Sequence, residues 1–247
     1  MAAQLQLPNI RNALIRLEET ILFGMIERAQ FRQNVPVYQP GLPGVEDHTE
    51  SLLDYMLHEC ERSHAKVRRY TSPDEQPFFH DLPEPILPAL TYVDNPLAPN
   101  TINLNDRIRE DYIHRIIPLL CLPGDDKQYG SSAVNDVTLI QALSKRIHYG
   151  KFVAECKFQD TPDAFRTAIQ VSDATRIMAL ITNAAVEQDV LNRVANKTKI
   201  YTGELDELPG MHCITPETAC TIYRDWIIPL NKQVQVEYLL QRERHTE

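Results

Sequence analysis

Arg146 and Lys157 are the two side chains of this sequence whose type and spacing best fit a chemical task. At about 100° per residue, eleven helical steps come to almost three full turns, so both cations leave one helix in nearly the same direction. Ile147, Val153, Ala154 and Phe158 surround that stripe with apolar surface. A cation buried among such residues needs an anionic partner or a compensating network, and an anionic ligand fits that need. Read singly, each is a long side chain snorkelling from an apolar face. His148, beside Arg146, reads as structural, and His58 and His64 lack the company a metal site requires. Tyr149, Phe152 and Phe158 read as core.

The elements that must carry these cations are helical. Apolar residues at three- and four-residue steps (Ile10, Leu14, Leu17, Ile21, Met25, Ile26) predict a helix over about 7–31, with Asn9 as its cap. A loop containing Pro36, Pro40, Gly41, Pro43 and Gly44 leads to a second helix over about 51–69. Seven prolines from Pro73 to Pro99 preclude a long helix there. Helix resumes over about 105–120, breaks at Pro123-Gly124-Asp125-Asp126, and restarts near Ser131 for a run that Thr161-Pro162 ends. Segments over about 162–171, 172–184 and 185–202 follow. Thr215-Pro216-Glu217 combines a hydroxyl cap, a first-turn proline and a first-turn acid, which starts a last helix running to Arg242 with a kink at Pro229. No stretch alternates long enough for a strand. The expected fold is all-α, a single-domain helical bundle over 1–247, with the ligand site inside four long helices (7–31, 131–159, 185–202, 216–242).

Composition excludes several functions. The eight glycines form neither GxGxxG nor GxxxxGK, so dinucleotide and phosphate-loop folds have no support. A net charge of −9 argues against nucleic acid and acidic membranes as partners, and confines any anion site to a local cationic pocket. Five cysteines without a CxxC read as reduced thiols. With no secretory signal or 18-residue apolar run, the expected address is cytoplasmic.

Beyond the Arg146–Lys157 stretch, further segments occur in a telling order. They are Asn9-Ile10-Arg11, Arg68-Arg69-Tyr70 with Ser72-Pro73-Asp74-Glu75 and Pro77-Phe78-Phe79, Tyr129-Gly130-Ser131, Ile181-Thr182-Asn183-Ala184-Ala185-Val186-Glu187, Ile214-Thr215-Pro216-Glu217, and Ile228-Pro229 running on to Val236-Glu237-Tyr238. In sequence and order they resemble the fungal and plant all-helical chorismate mutases, from about residue 7 to 243. That resemblance implies an isomerase of phenylalanine and tyrosine biosynthesis that rearranges chorismate to prephenate. The Claisen reaction uses no nucleophile, metal or redox cofactor, so a site for it must fold a dicarboxylate into a compact near-attack shape and place donors at the breaking ether oxygen.

Carried over residue by residue, the resemblance puts Arg11 and Arg146 on the two carboxylates and Lys157 on the ether oxygen. Glu187 becomes the acceptor for the substrate hydroxyl, with Asn183 four residues earlier on the same helical face, and Ile181 and Ile228 become pocket walls. Asn231, also placed on the substrate by the resemblance, stands where the fungal pattern has threonine. Gln235 stands where it has glutamate beside the ether oxygen, and an amide donates at any pH whereas a carboxyl must hold a proton. The resemblance further implies a homodimer whose region 51–130 is regulatory. Arg68 and Arg69 of one subunit and Gln128, Gly130, Ser131 and Val134 of the other form an effector site for tyrosine and tryptophan, and Thr215 sits at the switch between states. Lys127, Gln128 and Val134 depart from the fungal asparagines and threonine at this site. The rival reading is a catalytically silent helical dimer that binds aromatic amino acids or scaffolds partners.

Overall fold

Two prolines stand inside helical runs that continue past them. The computed structural model describes residues 5–41, 48–90, 95–203 and 212–242; Pro43 and Gly44 of the first loop lie outside them. Pro118 and Pro229 each follow a single π-helical turn, at Tyr112–Ile116 and Tyr223–Ile227. The two stretches share the pattern Tyr-x-x-x-Ile-Ile-Pro-Leu. A proline has no N–H to give and its ring crowds the preceding turn, so widening that turn carries the chain past it without ending the helix. Residues 105–120 thus run as α3 (Asn105–Asp111), a π turn and α4 (Ile117–Leu120), and residues 216–242 as α10 (Pro216–Ile222), a π turn and α11 (Ile228–Arg242).

The other helices are α1 (Leu7–Ala29), α2 (Leu52–Lys66), α5 (Tyr129–His148), α6 (Gly150–Asp160), α7 (Pro162–Gln170), α8 (Ala174–Ile181) and α9 (Ala184–Thr202). Among the described residues there is no strand beyond an isolated bridge between Gly41 and Ser51, and the fold is all-α as expected. Three local expectations need correction. Asn9 is no cap: α1 begins at Leu7 with Pro8 in its first turn, and Gln6 occupies the cap position. The helix placed over 172–184 is shorter, because Ser172 turns to a positive φ of 52° and Thr182 is extended. The long run from Ser131 begins at Tyr129 and is interrupted once, at Tyr149.

The C-terminal half of α1 packs on α5, burying Ile21, Leu22, Met25 and Ile26 against Ala133, Val137 and Ile140. Its N-terminal half turns toward a cavity. On the other side, α11 lies along α5 and α6, and α9 closes the ring between α1 and α10. An ion pair that sequence reasoning did not foresee pins α1 to α5: Arg28 Nε donates to Asp136 at 2.7 Å with both side chains fully buried, and the hydroxyls of Tyr38 and Tyr112 donate to the same carboxylate at 2.8 and 2.6 Å. The proline-rich stretch is held by side chains. The buried Glu61 accepts from the backbone of Phe78 and Phe79, and Asn105 donates to the carbonyls of Gln76 and Pro77.

The break at Tyr149 brings α6 against α11 at Gly150. A Cβ there would lie 2.6 Å from the carbonyl oxygen of Asn231, a backbone atom that cannot swing aside. Gly150→Ala is therefore expected to destabilise the protein by about 1–3 kcal/mol, the usual cost of overpacking, and to lower activity by pushing Asn231 outward. Urea unfolding together with a rate measurement checks this, and unchanged values for both would contradict the close approach.

Candidate active site

A cavity of about 590 Å³ opens between the four long helices. From α1 it receives Arg11 and Glu18, from α5 Arg146 and from α6 Lys157. Ile181 and Asn183 come from the α8–α9 junction, Glu187 and Arg193 from α9, and Ile228, Asn231, Lys232 and Gln235 from α11. Every residue that the sequence assigned to substrate lines this one space.

Arg146 is the most telling of them. It is only 5% exposed, and its Nε finds no hydrogen-bond partner among the described residues. Burial pulls its pKa below the ordinary arginine value. Lys157 donates from Nζ to the Ile181 carbonyl at 2.5 Å and to Gln235 Oε1 at 3.2 Å, both neutral oxygens. Burial lowers its pKa to about 8; Glu187 opposes the shift, while Lys232 and Arg11 add to it. Arg11 forms no ion pair among the described residues, so three cations face the cavity without a carboxylate held to them. Such an arrangement is costly when empty and suited to a multiply charged anion.

Two further acid–base pairs at the cavity compensate each other, while Asp160 and Asp189 stand at its lining beside them. Glu18, fully buried, takes a two-pronged contact from Arg193, with Nε and Nη2 each at 2.7 Å, and Lys197 approaches it at 3.5 Å. Lys232 holds Glu187 at 3.0 Å. Sequence reasoning missed Glu18, Arg193 and Lys232. A signal existed for two of them: Glu18 lies seven residues after Arg11, and Val186, Val190 and Arg193 follow a helical stripe into the cavity.

Two expected placements change in detail. Asn183 does not share a helical face with Glu187, because it stands outside α9 as its cap, its Oδ1 accepting from Val186 N at 3.2 Å. Asn231 is 8% exposed, and its amide is committed to protein partners. His148 is structural: Nε2 accepts from Leu104 N at 2.9 Å, and burial drives its pKa down to about 3. Among the described residues no group of three His, Cys, Asp or Glu could hold a metal ion.

The residues expected to bind effectors do not meet within one chain. Arg68 has a positive φ of 70° and donates to the Pro88 carbonyl. Arg69 contacts His64 at 2.8 Å, Gln141 at 3.2 Å and Glu75 at 3.2 Å. Gln128, Gly130, Ser131 and Val134 lie exposed around the start of α5. Gln141 is ten residues further on, which is about 15 Å along the helix. Thr215 caps α10, accepting from Thr218 N at 3.2 Å.

Fold and site together define a helical bundle with a cation-rich cavity suited to a small polyanion. Residues 129–236 match the family model described as Chorismate mutase type II. The chorismate mutase of Schizosaccharomyces pombe is 45% identical over 244 residues, covering 97% of each chain. Chorismate mutase 1, chloroplastic, of Petunia hybrida is 45% identical over 96% of this chain and 75% of its own length. In three dimensions the chain is similar to a Candida albicans chorismate mutase crystallised with L-Trp (TM-score 0.90, 39% identity, 97% and 92% coverage). It is also similar to AtCM1 with tyrosine bound in its allosteric site (TM-score 0.88, 45% identity, 97% of each chain). The chain belongs to the chorismate mutase family and is an isomerase. No helix among the described residues is long and apolar enough to cross a membrane.

Proposed function

We propose that the cavity holds chorismate with its two carboxylates on Arg11 and Arg146, where forked donors match carboxylate geometry. Lys157 leaves the Ile181 carbonyl to donate to the ether oxygen as the C–O bond breaks, and Gln235 donates to the same atom. Glu187 accepts from the substrate hydroxyl beside Asn183, and Ile181 and Ile228 press the two arms together. The protein contributes folding of the substrate and fixed donors, with no proton transfer, metal or cofactor in the step. The observation that carries this reading is Arg146: a buried guanidinium without an anion has a use only when one arrives. The same observation weighs against a silent scaffold, which gains nothing from retaining it. Following the loss of chorismate and the formation of prephenate by the purified chain tests the assignment.

A homodimer of single-domain subunits in the cytoplasm completes the proposal, with residues 51–130 as its regulatory region. Cys60, Cys121, Cys156 and Cys220 stand as thiols, which suits a reducing compartment. Effector control by tyrosine and tryptophan rests on two features. No side chain caps α5, so the amides of Gly130 and Ser131 can take an amino-acid carboxylate. The separation of Arg69 from Ser131 within one chain leaves the complementary cations to come from a second subunit. Relatives crystallised with L-Trp and with tyrosine in an allosteric site add support. Replacing Arg68 and Arg69 together by alanine is expected to flatten the response to both amino acids. Effector coupling is typically about 1–3 kcal/mol, or roughly 5- to 150-fold. Titrating parent and variant with each amino acid decides it, and a normal response in the variant refutes the location.

A further inference from the structure

A directional chain of hydrogen bonds runs from the end of α5 to the ammonium of Lys157. Asn231 Nδ2 donates to the carbonyls of Ile147 at 3.0 Å and Arg146 at 3.3 Å. Asn231 Oδ1 accepts from Gln235 Nε2 at 2.9 Å, and Gln235 Oε1 accepts from Lys157 Nζ at 3.2 Å. The geometry points to Asn231 as a positioning residue that fixes which way the Gln235 amide faces, so that residues 231 and 235 act as one unit. This rests on the reading of Gln235 as a donor to the ether oxygen.

The orientation at each link follows from what the neighbouring atoms can do. The two carbonyls of α5 can only accept, so they hold the Asn231 nitrogen; turned over, its oxygen would face two oxygens. The Asn231 oxygen then faces α11 one turn on, and only the nitrogen of Gln235 can meet it. That choice leaves the Gln235 oxygen for Lys157, which can only donate. Both amides are buried, 8% and 4% exposed, so water offers little alternative.

Counting hydrogens turns this into a prediction. The amide nitrogen of Gln235 has two, one held by Asn231 and one left for the ether oxygen. A glutamic acid at 235 has one proton at most, and the acceptor on Asn231 claims it. Gln235→Glu is therefore expected to be impaired at every pH, including acidic pH where the carboxyl is protonated. A threonine at 231 reverses the demand, because its hydroxyl can donate to the carboxyl and leave the acid proton for the substrate. That hydroxyl can also accept from Gln235, so Asn231→Thr alone is expected to be mild. The charged groups around the introduced carboxyl are Arg11 and Glu18 on α1, Arg146 on α5, Lys157 and Asp160 on α6, Glu187, Asp189 and Arg193 on α9, and Lys232 on α11. The uncompensated cations lower its pKa and burial raises it.

The test is kcat and KM between about pH 4.5 and 8.5 for the parent, Asn231→Thr, Gln235→Glu and the double variant. The expected result at pH 5 is a double variant at least tenfold faster in kcat than Gln235→Glu alone, with that gain lost toward pH 8 as the carboxyl ionises. A double variant whose rate at pH 5 is the product of the two single effects, within twofold, overturns the role of Asn231. A Gln235→Glu profile that overlaps the parent's overturns the earlier assignment of Gln235 to the reacting oxygen, a separate failure. Should threonine at this buried position prevent folding, Asn231→Ser with Gln235→Glu offers the same donor with less bulk and is judged by the same criteria.

Discussion

Lys157→Ala is expected to lower kcat by about 100- to 1000-fold, the usual cost of removing one preorganised donor from a developing oxyanion. The fold should survive. Nζ is held by two neutral oxygens, the Ile181 carbonyl and Gln235 Oε1, and a buried ammonium without a carboxylate contributes little to stability. KM should change less than kcat, because Arg11 and Arg146 hold the carboxylates while Lys157 acts on charge that appears only as the ether bond breaks. The parent enzyme carries a second signature of the same group. Burial holds the Lys157 pKa near 8 in the ligand-free protein, and only the protonated form can donate. The ratio kcat/KM should therefore fall as pH rises through about 8, while kcat falls later because the bound dianion favours the ammonium. Activity of Lys157→Ala within tenfold of the parent would remove Lys157 from the ether oxygen.

The spacing that pointed to Arg146 and Lys157 survives an interruption it did not foresee. Tyr149 breaks the helix between them, yet its φ of −58° and ψ of −14° stay near helical values, and both side chains reach the same cavity. Where the same periodic logic was applied to Asn183 and Glu187 it misplaced Asn183, because an asparagine can leave the helix and cap it, and spacing alone does not separate those outcomes. Helix starts with a hydroxyl cap were legible, as at Ser51 and Thr215. The start at Leu7 was legible from the apolar period, but its cap was misassigned to Asn9, since no side chain caps it. Pairings such as Glu18 with Arg193 and Arg28 with Asp136 join residues more than a hundred positions apart. No local pattern encodes them; they follow from which helices become neighbours. The π turn before Pro229 was readable only as a kink, and the one before Pro118 was not read at all, because a proline announces a lost hydrogen bond without saying how the chain absorbs it.

Arg146→Lys should fail almost as completely as Arg146→Met, and the reason lies in what the site does to cations. An ammonium cannot make two parallel donations to a carboxylate. It also loses charge under burial. Lys157, in the same cavity with two oxygen partners, is already pulled down to about 8, and a lysine at 146 would sit where no partner among the described residues meets the Arg146 Nε. Losing one side of a buried, hydrogen-bonded charge pair costs about 3 kcal/mol or more, so kcat/KM should fall roughly 150-fold or further for both variants. Stability should move the other way. In the ligand-free protein Arg146 is a desolvated cation that Glu18, already held by Arg193, offsets only in part, and an apolar side chain of similar length in its place removes that penalty, so Arg146→Met should gain about 1–3 kcal/mol toward urea. Kinetics and unfolding on the same two variants test both halves. A lysine variant with near-parental kinetics would replace the forked contact with a diffuse attraction, and a destabilised methionine variant would show that Arg146 has a structural partner in the resting protein.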